Sequence, residues 1–69
     1  MTDEFKISLR AARVNASLTQ TEAARRLGIG VNTLIKWEKD PGSIPANRAP
    51  LIGKAYLIDP ARIDFLRKG

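Results

Sequence analysis

The larger apolar residues at the start of the chain fall at Phe5, Leu9, Ala12 and Ala16. This is the i, i+4, i+7 spacing of one helical face, with Lys6, Arg10 and Arg13 off the stripe. The pattern predicts a first helix from about Asp3 to Asn15. Asn15 and Ser17 weaken it, and Leu18 stands alone before Thr19-Gln20-Thr21-Glu22. Thr19 with Glu22 three residues on is a capping box, in which each side chain accepts a backbone N–H that a new helix leaves unpaired. A second helix therefore starts there. It is expected to run about two turns through Ala23, Ala24 and Leu27, because Gly28 is the residue best suited to the left-handed turn that ends a helix.

After Ile29 and Gly30, a third helix from Val31 to about Lys39 places Leu34 and Trp37 on one face and Asn32, Thr33 and Lys36 on another. One face suits a core and the other a partner. Asp40-Pro41-Gly42-Ser43 breaks this helix, and Pro45 holds the chain extended until Asn47 offers a cap for a fourth. Pro50 is tolerated in the first turn of that helix, where N–H groups have no internal acceptor, and Leu51, Ile52, Ala55 and Tyr56 continue it. Asp59-Pro60 repeats the order of cap then proline and opens a last helix through Ile63, Phe65 and Leu66. Five helices and no strand are expected. Phe65 falls off the face shared by Ile63 and Leu66, so it is expected to meet a neighbouring groove or a second subunit, as a candidate dimer contact.

A chain of 69 residues is one domain at most, spanning residues 1–69, and must pack a compact core. It has no cysteine and no histidine, which removes disulfides, thiolate zinc sites and the usual nucleophile–base pairs, so neither a metal nor an enzyme is expected. Twelve Lys or Arg against seven Asp or Glu give a net charge of +5. That balance favours a polyanionic partner, although it also lies within the range of about 2 to 8 that keeps a small domain soluble. No apolar run approaches the roughly 18 residues of a membrane span, and Met1-Thr2-Asp3-Glu4 opens on acids where a signal peptide carries bases. A cytoplasmic protein with no membrane partner is expected.

Two short helices joined by a turn containing Gly, over residues 19–39, form a helix-turn-helix, whose second helix is slim enough for the DNA major groove. The segment resembles the Cro and phage-repressor (Xre) family of helix-turn-helix regulators through Leu9-Arg10 and Arg13, then Leu18-Thr19-Gln20, Ala24, Leu27-Gly28, Thr33-Leu34 and Trp37-Glu38. The resemblance implies an all-α, lambda-repressor-like DNA-binding domain. Since members of that family repress or activate promoters, it also implies a regulator of double-stranded operator DNA, more readily a repressor than an activator, that needs no cofactor and works as a homodimer, formed free or only on DNA. The sequence departs from the family pattern at four places. Gly30 stands where Ser or Thr commonly caps the recognition helix, Asp40 stands near a usual Gly, and Ser17 and Leu57 each replace a frequent Gly.

Carried over by position, Val31, Asn32, Thr33 and Lys36 are the implied base readers. Asn can bond an adenine edge in two places, Lys can donate to guanine, and Val or a Thr methyl can pack on a thymine methyl. Gln20 is implied to meet a phosphate and brace the recognition helix, with Arg10, Lys39 and Arg48 as further phosphate candidates. Glu38 is implied to pair with Arg13 between the first and third helices. Trp37 shares its helical phase with Leu34 and is expected in the core, Arg25 and Arg26 are expected in solvent, and Ile35 stands out as an apolar residue beside the groove-facing side. A helix-turn-helix used to bind protein, or the antitoxin of a toxin pair, is the alternative.

Overall fold

The computed structural model describes residues 6–65. Among them are four α-helices, α1 (Leu9–Asn15), α2 (Gln20–Leu27), α3 (Val31–Lys39) and α4 (Ala49–Tyr56), with single 3-10 turns at Pro41–Ser43, Ala46–Arg48 and Pro60–Arg62. The first helix starts later than its apolar spacing predicts. Ser8 is its cap: the Ser8 hydroxyl accepts the Ala11 N–H at 3.0 Å from extended backbone. Lys6 to Ser8 lie outside the helix, and the expected start at Asp3, with Phe5, lies outside the described residues.

The reason for the late start is a pairing with the other end of the chain. Ile7 N–H donates to the Arg62 carbonyl at 2.9 Å and Asp64 N–H donates to the Ile7 carbonyl at 2.8 Å, an isolated parallel bridge between Ile7 and Ile63. The same pairing corrects the expected fifth helix. Asp59 does cap a turn, accepting the Ala61 N–H at 3.0 Å, but the turn ends at Arg62. Ile63 is then extended and buried. Phe65 is likewise not helical, so the helical phase that set it apart from Ile63 does not exist, and Leu66 lies outside the described residues.

Local chemistry at α2 is as its sequence predicts. The Thr19 hydroxyl accepts the Glu22 N–H at 3.1 Å, and the Glu22 carboxylate accepts the Thr19 N–H at 2.9 Å. Three helices end alike. Ser17, Gly28 and Leu57 take positive φ of 61°, 71° and 56°. The apolar residue after each donates its N–H to a carbonyl five positions back: Leu18 to Arg13 at 3.2 Å, Ile29 to Ala24 at 3.0 Å and Ile58 to Gly53 at 3.0 Å. This is the Schellman termination, which satisfies carbonyls the helix leaves over. Glycine adopts the left-handed turn at no steric cost, whereas Ser17 and Leu57 crowd their own Cβ.

Leu9 and Ala12 of α1, Ala23, Ala24 and Leu27 of α2, Leu34 and Trp37 of α3, and Ile52 and Tyr56 of α4 close on one core with Leu18 and Ile63. The fourth helix is not capped by Asn47, which sits inside the 3-10 turn Ala46–Arg48. No side chain caps α4, and Pro50 occupies its first turn. Gly53 lets the Pro60 turn fold back on α4, because a Cβ there would sit 2.6 Å from Pro60 Cδ and 2.7 Å from the Ile58 carbonyl oxygen.

Candidate nucleic-acid interface

The third helix is held from one side and open on the other. Leu34 and Trp37 bury in the core, while Val31, Asn32, Thr33, Lys36 and Lys39 are exposed. Gly28 makes this possible by turning the chain within a few residues, so that α2 and α3 cross instead of continuing as one rod. Gly30 precedes α3 in extended conformation with no side-chain cap, and a Cβ there would meet nothing within 4 Å. The leading N–H groups of α3 therefore carry no side-chain acceptor.

Beside α3 lies a groove of about 520 Å3 lined by Arg10, Arg13, Thr19, Gln20, Ile35, Glu38 and Lys39. Its floor is a hydrogen-bonded seam that joins three helices. Arg13 Nε of α1 donates to Glu38 Oε2 of α3 at 2.6 Å, and Arg13 Nη2 reaches Oε1 at a longer 3.5 Å. Arg13 Nη1 donates to the Leu18 carbonyl at 2.9 Å, and Gln20 Nε2 at the start of α2 donates to Glu38 Oε1 at 3.1 Å. The two charged side chains are only 10% and 7% exposed. At that burial an ion pair is favourable only when further hydrogen bonds support it, and the Leu18 carbonyl and the Gln20 amide each add one. The seam fixes the angle of α3 against α1 and α2.

Five of the sequence candidates thus share one place. Arg10, Gln20 and Lys39 line the groove with the Arg13–Glu38 pair beneath them, whereas Arg48 sits apart, half-buried in the Ala46–Arg48 turn. Phe65 packs half-buried against the core and borders a separate apolar hollow of about 280 Å3 with Pro41, Gly42, Ile44, Pro45, Ala46 and Ala49. Arg25 and Arg26 are exposed on α2. Two features have no local signature in the sequence, the bond from Gln20 to Glu38 and the position of Tyr56. The Tyr56 hydroxyl is buried without a hydrogen-bond partner among the described residues. Burial, and then the Glu38 carboxylate, push its pKa up to about 12 against the opposing pull of Arg13. In the first turn of α2, the Thr19 N–H holds the Glu22 carboxyl below its ordinary range, helped by the Thr19 hydroxyl and by Arg26 and Arg25.

Among the described residues no cluster of acids is arranged to hold a metal, and no helix is long and apolar enough to cross a membrane. No curated protein and no solved structure matches the chain significantly. The model of the Cro/C1-type helix-turn-helix family matches residues 9–63, which takes in α1 through the Pro60–Arg62 turn and all of the groove. Both the span of the match and the crossed pair α2–α3 with its outward third helix place this chain in the helix-turn-helix family of DNA-binding regulators.

Proposed function

We propose that this chain is a sequence-specific transcriptional repressor that lays α3 in the major groove of operator DNA and excludes other proteins from a promoter. The observation that carries the reading is the division of labour on and around α3. Val31, Asn32, Thr33 and Lys36 are exposed on α3, while Arg10, Gln20 and Lys39 from three helices line one groove beside it. The first set has base-reading chemistry, in which Asn32 bonds an adenine edge, Lys36 donates to guanine, and Val31 and the Thr33 methyl pack on thymine. The second set suits a phosphate. Gln20 spends one amide hydrogen on Glu38 and keeps a second, so the side chain that braces α3 also donates to DNA backbone. Arg48 would meet the backbone farther along.

The repressor acts in the cytoplasm as a homodimer, with two copies of α3 about 34 Å apart on a palindrome. Phe65 and the uncharged hollow it borders are the candidate seam. Selection of bound sites from a random DNA pool tests the whole reading, with sedimentation of the protein free and on the selected duplex. An enriched palindrome bound by two chains is expected. Equal binding to all sequences would overturn it in favour of a nucleic-acid binder without sequence preference, and no DNA binding at all in favour of a protein-binding role.

A further inference from the structure

Ile35 is half-buried, yet it is not among the apolar residues that pack on the core. Its neighbours in the groove are Arg10, Arg13, Thr19, Gln20, Glu38 and Lys39, every one of them polar or charged. An aliphatic side chain in that setting rests beside the methylene stems of its long neighbours and takes no part in the core. It stands one helical turn after Val31, which is 37% exposed. Residues at i and i+4 lie in line on a helix, so Val31 and Ile35 form an apolar strip along α3. Asn32 and Lys36, each one residue after a member of the strip and both exposed, border it on the solvent side, and Lys39, four residues after Ile35, continues its line. The groove wall of Arg10 and Gln20 borders it on the other. The strip is therefore interior to the charged footprint, where an approaching polyanion would be desolvated.

We infer that Ile35, with Val31, reads thymine by packing on its C5-methyl group in the major groove. This inference rests on the α3-in-groove reading above and adds a residue to it. The methyl is the one apolar group on a base edge there, and a strip one helical turn long, about 5.4 Å, suits methyls on neighbouring base pairs spaced about 3.4 Å apart. Ile35 acts without hydrogen bonds, so it sets preference between thymine and cytosine or uracil and leaves the register of the complex to the flanking polar groups.

The test replaces each thymine of the selected operator, one at a time, with deoxyuridine, which keeps the pairing edge and removes only the methyl. Wild type should lose about fourfold in affinity at one or two positions, the effect of one buried methyl. Ile35→Ala should bind the thymine operator about tenfold more weakly than wild type and no longer distinguish thymine from deoxyuridine at its position. Thermal unfolding of the variant checks that it folds, and the wild-type deoxyuridine series stands independently of that. If deoxyuridine were neutral at every position for wild type, or if Ile35→Ala lost equally on both duplexes, Ile35 would be packing on sugar or protein and the inference would be wrong. In either of those cases an enriched site would leave the placement of α3 in the groove intact, although deoxyuridine neutral at every position would also remove the thymine contacts of Val31 and Thr33. A wild type that enriches no site would overturn both.

Discussion

In the helix-turn-helix unit, polar side chains set the geometry. Thr19 and Glu22 start α2, and Arg13, Gln20 and Glu38 tie α1, α2 and α3 together around one carboxylate. Around α4 the geometry is set by shape, through the close passage of Pro60 over Gly53, the extended bridge of Ile7 with Ile63, and a tyrosine whose buried hydroxyl has no partner among the described residues. Directional bonds suit the first region because the surface of α3 has to be presented at a fixed angle while nothing of its own covers it. Close packing suits the second, which closes the core behind α3. The contrast implies that the two regions fail differently.

The largest expected effect is on the polar side. Replacing Glu38 by Ala strands the buried Arg13 guanidinium, and Arg13→Ala strands the Glu38 carboxylate, so each should cost about 3 to 5 kcal/mol in urea unfolding. The double variant should cost clearly less than the two losses added, since neither charge is then left alone; additive losses would show that the seam carries no coupling. On the packed side, Gly53→Ala should destabilise by about 1 to 3 kcal/mol. The nearest atom that its Cβ meets besides Pro60 is the Ile58 carbonyl oxygen, which is backbone and yields little. An unchanged midpoint would mean that the Pro60 turn is looser than the structure describes.

Tyr56→Phe separates the regions in the opposite direction. Removing a buried hydroxyl without a hydrogen bond should stabilise the protein by about 1 kcal/mol at neutral pH. The pH dependence follows from a pKa raised from 10.0 to about 12 in the folded protein. Below pH 10 the group is neutral in both states and contributes no pH dependence. From pH 10 upward the unfolded chain releases the proton first, so wild type loses stability until pH 12, by about 2 to 3 kcal/mol at most. Tyr56→Phe should lack that part of the alkaline loss, and parallel curves for the two proteins would refute the assigned shift.

The smallest effects concern the three helix ends. A left-handed Ser17 or Leu57 costs about 1 to 2 kcal/mol, and glycine returns about 0.4 to 1 kcal/mol of that as unfolded-chain entropy. Ser17→Gly and Leu57→Gly should therefore each stabilise by about 0.5 to 1 kcal/mol. The change at Leu57 should be the cleaner, because its side chain is 86% exposed and little packing is lost. Destabilisation by either would show that its side chain matters more than its φ.

The same contrast governs what could be read from the sequence. The signals of the unit at 19–39 are local: a capping box three residues long, a glycine after Leu27, and Leu34 and Trp37 one turn apart. Each is decided within a turn of helix, and the structure places the elements accordingly. The flanks are decided by partners far away. Leu9, Ala12 and Ala16 do recur at helical spacing, but Ile7 is taken by Ile63, and no periodicity within either segment announces a bridge between opposite ends of the described chain. Ser8 lacks the Glu or Gln at Ala11 that would have marked it as a cap. The departures at Ser17 and Leu57 were visible as missing glycines, and the positive φ at both shows the strain that the substitution leaves behind. Of the groove, the resemblance implied roles for Arg10, Gln20, Lys39 and the Arg13–Glu38 pair. That Gln20 bonds Glu38 needed coordinates, since the two are 18 residues apart.

Two lysines of one helix test the proposed orientation of α3 most directly, Lys36 on its exposed outer face and Lys39 at the groove wall. Affinities of Lys36→Ala and Lys39→Ala for the selected operator and for single-base variants of it, each across a salt series, separate their roles. The account predicts that Lys36→Ala loses about 1 to 3 kcal/mol and relaxes preference at one base position. Lys39→Ala should instead weaken binding alike on every sequence and lower the salt slope by about one ion. A Lys36→Ala protein that keeps both its affinity and its base preference, or a Lys39→Ala protein that alters preference at one base, would contradict the orientation of α3 on which the rest depends.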